Sequence, residues 1–303
     1  MDKIFISTGN GMFGRALAIE LLKIKAPIRL MVRDKSKCTI SDPLAEIVTG
    51  DMDKPETLPP LLEGISGLFL CSPMDPRLAQ RETTLIKAAR KSGVKHFVKI
   101  FGAVKHEGDN LDKLNLSVLE FMKNSGIAWT MVSPNSVMET SLQENQACIR
   151  NMHAIYGISG NGKVGLVALR DVAEIAALTL TTPGHEGKNY ELTGPASMSM
   201  TEVAVVFSEV LGKKIDYIDK TEASFTKMIL KYDKSTNPEK LELEVLCHLR
   251  AWKKGNADLI TDTFEQLTGR KPTSLAEFIL DNRDFFSKGM VPRPFALMMR
   301  WFS

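Results

Sequence analysis

The residues with the clearest chemical potential stand near the start of the chain. Gly9-Asn10-Gly11-Met12-Phe13-Gly14 has the spacing GxGxxG. It follows a strand-like run, Ile4 to Ser7, and opens a helical pattern of Phe13, Leu17, Leu21 and Ile24. A strand, this turn and a helix in direct succession suit the pyrophosphate of a dinucleotide. The first glycine serves the tight turn, the second lets backbone N–H groups approach phosphate oxygens, and the third lets the helix pack on the strand. The helix N-terminus adds partial positive charge.

A second apolar run, Ile28 to Val32, ends at Arg33. This is about 20 residues beyond the turn, where an acidic side chain would bind the ribose hydroxyls of NAD. An arginine there can accept the 2′-phosphate of NADP through a forked, charge-assisted contact. Lys35 and Lys37 strengthen the positive field, while Asp34 would serve NAD if the register moved by one residue. The expected cofactor is therefore NADP(H), with NAD(H) left open. Asp51 follows a third run and is placed to meet the adenine edge, and Ser72-Pro73 follows a fourth and is placed to line the cofactor cleft. Both stand at carboxyl ends of strands, where ligands of open α/β sheets bind.

Other chemistries find little support. None of the four tyrosines is followed four positions later by lysine, so the Tyr-x-x-x-Lys acid/base pair of alcohol dehydrogenation is missing. Cys38, Cys71, Cys148 and Cys247 are scattered, as are the five histidines, and no metal site is expected. A net charge of +3 is too small for a nucleic-acid-binding face. No apolar run approaches the roughly 18 residues of a membrane span. Ile4-Phe5-Ile6 begins a strand with no signal-like segment before it, so a cytoplasmic protein with reduced thiols is expected.

The elements that must position these residues alternate. Gly67 to Cys71, His96 to Ile100 and Ala128 to Val132 read as further strands, Ala45 to Val48 as a weaker one, and Leu78 to Arg90 and a segment around Leu114, Val118 and Phe121 as helices. Continuous apolar strands separated by helices imply an α/β fold, a doubly wound parallel sheet covered on both faces. The later half reads as mostly helical, with capping boxes at Asp171/Glu174, Ser199/Glu202 and Ser274/Glu277 and a long helix from Leu241 to Trp252. The expected division is 1–150 for dinucleotide binding and 151–303 for a mixed region that returns to the sheet and forms a mostly helical substrate-binding part, the two being interleaved.

With these segments in view, the chain resembles the NmrA-like group of atypical short-chain dehydrogenases/reductases. The resemblance covers nearly the whole chain. It rests on Ser7 to Gly14, Met31-Val32-Arg33-Asp34, Gly50-Asp51-Met52, Val94 to Ile100, Ser125 to Thr130, Arg170 to Ala173 and Leu267 to Pro272. It implies a Rossmann-type fold with a smaller substrate-binding part. It also implies that Phe101-Gly102-Ala103 lies along the cofactor and that Pro134-Asn135-Ser136-Val137-Met138 passes near the nicotinamide, and it brings Met52 in beside Asp51. Three departures stand out. The glycine turn is one residue shorter than is usual in the group, Phe101 stands where a serine is frequent, and Asn115 stands where relatives place His or Lys. Asn115 cannot titrate, and Lys113 nearby is the substitute candidate.

Two functions fit. One is an NADPH-dependent reductase of a small apolar electrophile, such as a quinone, enone or imine, which takes hydride with modest acid help. Met12, Met74, Met131 and Met138 would give such a substrate an adaptable pocket. The alternative is a non-catalytic NADP(H)-binding redox sensor. The apolar run Phe295 to Phe302 suggests docking on the body of the protein, with a homodimer seal as one option.

Overall fold

The computed structural model describes residues 3–143, 145–232 and 236–287. The run Phe295 to Phe302 lies outside the described residues. Six strands appear in sequence: β1 (Lys3–Ile6), β2 (Ile28–Val32), β3 (Ala45–Thr49), β4 (Ile65–Leu70), β5 (His96–Ile100) and β6 (Ala128–Pro134). With Asn189–Leu192 they form a seven-stranded sheet in the order Asn189–Leu192, β6, β5, β4, β1, β2, β3. Every pairing from β3 across to β6 is parallel. The chain moves outward from β1 through β2 to β3, then returns to β4 on the other side of β1. That reversal makes a crevice at the carboxyl ends of β1 and β4, where a ligand of such a sheet binds.

The strands form because both of their faces are covered. Phe5, Phe69 and Phe97 are at most 1% exposed, and each such side chain contributes roughly 1.5–3 kcal/mol by burial. Three helices, α1 (Met12–Lys23), α2 (Leu78–Lys91) and α3 (Asn110–Lys123), follow β1, β4 and β5. On α2 the apolar face is Leu78, Leu85, Ile86 and Ala89, and Gly93 then adopts φ +77°, a left-handed turn that ends the helix cheaply. On α3 the inward face is Leu111, Val118 and Met122.

The chain divides into two compact units, neither of them contiguous. The first comprises Met1–Phe101, Asn110–Ser133 and Val172–Tyr190, and the second Gly102–Asp109, Pro134–Asp171 and Glu191–Ser303. No single boundary separates them: the chain crosses between the units after Phe101, Asp109, Ser133, Asp171 and Tyr190. The segment from Val172 belongs with the sheet, where a Leu180 methyl lies 3.6 Å from where a Cβ on Gly67 would stand.

The second unit has its own core around Phe207, Phe278 and Phe286, whose rings meet edge to face. Its helices Met200–Leu211 and Leu275–Asp281 begin with complete capping boxes at Ser199/Glu202 and Ser274/Glu277. The box expected at Asp171/Glu174 does not form. That helix starts earlier, at Leu169, whose N–H donates to Glu139 Oε2 at 2.9 Å. Asp171 is buried within the first turn and accepts from the N–H and hydroxyl of Thr273 at 2.7 and 3.1 Å. The long helix expected from Leu241 to Trp252 is interrupted by a π-helical segment, Glu242–Leu246, before Cys247–Lys253 resumes α geometry.

Candidate functional site

The glycine turn is tight because the backbone folds closely on itself. Gly9 N–H donates to Met31 O at 2.8 Å, and Gly11 N–H to Thr8 O at 2.9 Å. A Cβ on Gly14 would sit 1.9 Å from Thr8 O, an impossible approach, and one on Gly9 would sit 3.0 Å from a Val32 methyl. None of the three glycines has positive φ, so close approach, not a left-handed turn, demands glycine here. Gly11 is the N-cap of α1 and brings no side chain to its N–H groups, and the first turn carries no acidic residue. An uncapped, unneutralised helix start beside Asn10, Met12 and Phe13 suits an anion such as a pyrophosphate.

Arg33 emerges exposed from the end of β2, and Lys35 and Lys37 follow exposed in one 3-10 turn. Asp34 turns its carboxylate into that turn. Oδ1 accepts from Ser36 N–H at 2.9 Å and from the Ser36 hydroxyl at 2.7 Å. Those hydrogen bonds hold the carboxyl below its ordinary range. Asn10 Nδ2 donates to Asp34 O at 3.1 Å, which ties the glycine turn to this loop. The basic side chains are thus presented to solvent while the adjacent acid is engaged locally.

Asp51 is half-buried, and its Oδ1 accepts from Asp53 N–H at 3.0 Å. Met52 packs its side chain in the core, 7% exposed. Ser72 donates its hydroxyl to Glu82 Oε1 at 3.0 Å, and Pro73 O accepts from Asp75 N–H. Beneath these loops lie charged residues that sequence reasoning passed over. Arg81 on α2, 4% exposed, grips Asp53 with two bonds of 2.8 Å and Asp75 with one of 2.7 Å. The Arg81 hydrogen bond is the main cause that lowers the Asp53 carboxyl, and Arg77 and Arg33 add to it. Lys99 on β5 and Glu82 on α2 form a fully buried pair at 2.5 Å. Nearby Cys71 is pushed up to about 12 by burial and the Glu82 charge, so it stays a thiol.

Phe101 is half-buried, its N–H donating to Val132 O at 3.0 Å. Asn115 is half-buried and continues the inward face of α3 between Leu111 and Val118, whereas Lys113 is exposed. Of the methionines, Met131 and Met138 are core residues at 7% and 1% exposure, while Met12 and Met74 are half-buried. In the second unit, Gly102 has open space where a Cβ would stand, and Pro134 O accepts from Ala103 N–H at 3.0 Å. Asn135 is buried and committed through Nδ2 to Ala257 O at 2.9 Å. Glu139, also unforeseen, is pushed up to about 7, chiefly by burial. No local pattern marks it, because its partner Leu169 is distant in sequence.

Comparison with known proteins accords with this arrangement. The chain is 31% identical over 283 residues to an NAD(P)H azoreductase of Xenophilus azovorans, covering 91% of this chain and 96% of that one. It is 25% identical to quinone oxidoreductase 2 of Escherichia coli, covering 91% and 97%. The crystal structure of a Citrobacter sp. triphenylmethane reductase complexed with NADP(H) superposes with a TM-score of 0.81 at 27% identity, covering 92% and 99%. The model of the NmrA-like family matches residues 1–279. The chain belongs to the NmrA-like family.

Proposed function

We propose that this NAD(P)H-dependent oxidoreductase is an NADPH-dependent reductase whose hydride acceptor is a small apolar conjugated electrophile, such as a quinone, enone or imine. The observation that carries the reading is the pairing of an uncapped glycine-turn helix start with an exposed Arg33 beside an engaged Asp34. In this reading Gly9 to Gly14 hold the pyrophosphate, and Arg33 and Lys35 meet the 2′-phosphate. Asp51, the Met52 backbone and Ser72-Pro73 border the adenosine half. Phe101-Gly102 and Pro134-Asn135 border the nicotinamide half, with the Asn135 side chain acting as a strut.

The bound cofactor supplies hydride from its dihydronicotinamide ring. The protein's own part is alignment and exclusion of water, because no tyrosine–lysine pair is present to deliver a proton. Conjugated acceptors suit that economy, since charge arriving at one atom is spread over the π system. The azo compounds, quinones and triphenylmethane dyes of the named relatives are all of this kind. Asn115, on the inward face of α3, is the side chain proposed to orient an acceptor heteroatom by hydrogen bonding, with exposed Lys113 the weaker candidate.

The test is NADPH oxidation, followed by absorbance, against a panel of quinones, azo dyes, enones and imines. The reading expects turnover with at least one conjugated acceptor and little with simple secondary alcohols or ketones. Tight NADPH binding with no turnover across the panel would overturn it in favour of a cofactor-binding sensor.

A further inference from the structure

The second unit brings three metal-binding side chains together from distant parts of the sequence. His106 lies in the segment Gly102–Asp109, and Cys247 and His248 open the helix Cys247–Lys253. One ligand atom from each lies within 4.8 Å of the other two. The two imidazoles meet edge to face with centroids 4.6 Å apart. Cys247 is 3% exposed and the histidines are half-buried, so the cluster is sheltered and yet reachable.

Two nitrogens and a sulfur form a donor set for a borderline transition ion. Zinc takes imidazole and thiolate together, with bonds of about 2.0–2.3 Å in a tetrahedron. Magnesium and calcium demand oxygen donors. Donors on such bonds stand roughly 3.3–3.8 Å apart, so these three need to close by about an ångström, within the reach of rotamer adjustment. Two further features hold them near that geometry. The π segment Glu242–Leu246 immediately precedes Cys247, and the Cys247 thiol donates to Leu243 O within it at 3.2 Å. The loop that carries His106 is tied down where Asn256 Nδ2 donates to Lys105 O at 2.9 Å. Asp109 Oδ2 lies 3.4 Å from His106 Nδ1, an ion-pair distance without hydrogen-bond geometry that a small rotation of the ring would align. A carboxylate on one ring nitrogen is the usual device for turning the other toward a metal.

We propose that His106, Cys247 and His248 bind one zinc-class transition ion, with Asp109 orienting His106 and water completing the coordination. The ion clasps the 102–109 loop to the helix that begins at Cys247.

The test uses the full-length protein, stripped with a chelator and titrated with Co(II) and then Zn(II). One equivalent of cobalt is expected to bind, with a thiolate-to-cobalt charge-transfer band and the intense d–d bands of a tetrahedral ion, and zinc should displace it. Saturating zinc should raise the unfolding midpoint by several degrees, whereas magnesium should not. Cys247→Ser should abolish the charge-transfer band, and His106→Gln and His248→Gln should each weaken binding at least tenfold by about the loss of one ligand. Asp109→Asn should keep the band and weaken binding ~10–100-fold. X-ray absorption of the zinc-loaded wild-type protein needs no variant, and its first shell should contain one sulfur. Absence of stoichiometric binding, a shell without sulfur, or unchanged affinity in folded Cys247→Ser and His106→Gln overturns the proposal.

Discussion

The Asp34 carboxylate accepts from both the N–H and the hydroxyl of Ser36, and its neighbour Arg33 is left exposed at the end of β2. If Arg33 meets a 2′-phosphate, Arg33→Ala removes a charge-assisted contact of about 1.5–3 kcal/mol. Affinity for NADPH should then fall roughly 10–100-fold, and affinity for NADH should hardly change. Calorimetry on the variant with both cofactors checks this, and equal losses for the two would contradict it. Glu139 gives a second prediction at the same scale. Burial is the largest cause that pushes its carboxyl from 4.5 up to about 7, so the folded chain holds this proton more tightly than the unfolded chain does. Its contribution to stability is therefore fully present below the unfolded value and is lost as pH rises through the folded one. Glu139→Gln keeps an acceptor for Leu169 N–H and cannot titrate. Relative to wild type, it should gain ~1–3 kcal/mol of stability between about pH 5 and about pH 8. Denaturant unfolding at both pH values measures the difference, and an identical change at both would remove Glu139 as the titrating group.

Among the elements, α2 does more than cover the sheet. Through Arg81 it holds Asp53, beyond β3, and Asp75, beyond β4, so one helix fixes two loops at the carboxyl ends of the strands. Arg81→Ala should cost ~2–4 kcal/mol, discounted for the partial exposure of both aspartates, and should weaken NADPH binding through the loosened loops. Unchanged cofactor affinity in the folded variant would separate these loops from the site. Gly14→Ala should fail differently, because its Cβ meets Thr8 backbone rather than a movable side chain. A loss of ~1–3 kcal/mol is expected from overpacking, with cofactor binding lost alongside it. Thermal unfolding with and without NADPH tests both effects, and an unperturbed Gly14→Ala protein would contradict the close packing. These two residues also mark what was legible in the sequence. The glycine turn and the capping boxes at Ser199 and Ser274 are local patterns, and local hydrogen bonding realises them. Arg81, Glu82 and Lys99 were not legible, because charged residues read as surface unless their partners are known, and those partners lie on other elements. The capping box at Asp171 misled for the same reason: Glu139, from another segment, caps that helix, and Thr273 claims Asp171.

At the scale of the whole molecule, the parallel order of the sheet was readable because buried strands are continuous apolar runs, whereas the division into units was not. Each unit draws on three separated segments, and periodicity carries no information about which segments return. Among the described residues no helix is long and apolar enough to cross a membrane. The family and the NAD(P)H-dependent reductases related to this chain agree with a dinucleotide cofactor. Calorimetric titration of the wild-type protein with NADPH, NADP, NADH and NAD measures the preference that an exposed Arg33 should confer. Saturable one-to-one binding with a clear preference for the phosphorylated pair is expected. Binding of none of the four, or a preference for the unphosphorylated pair, would contradict it.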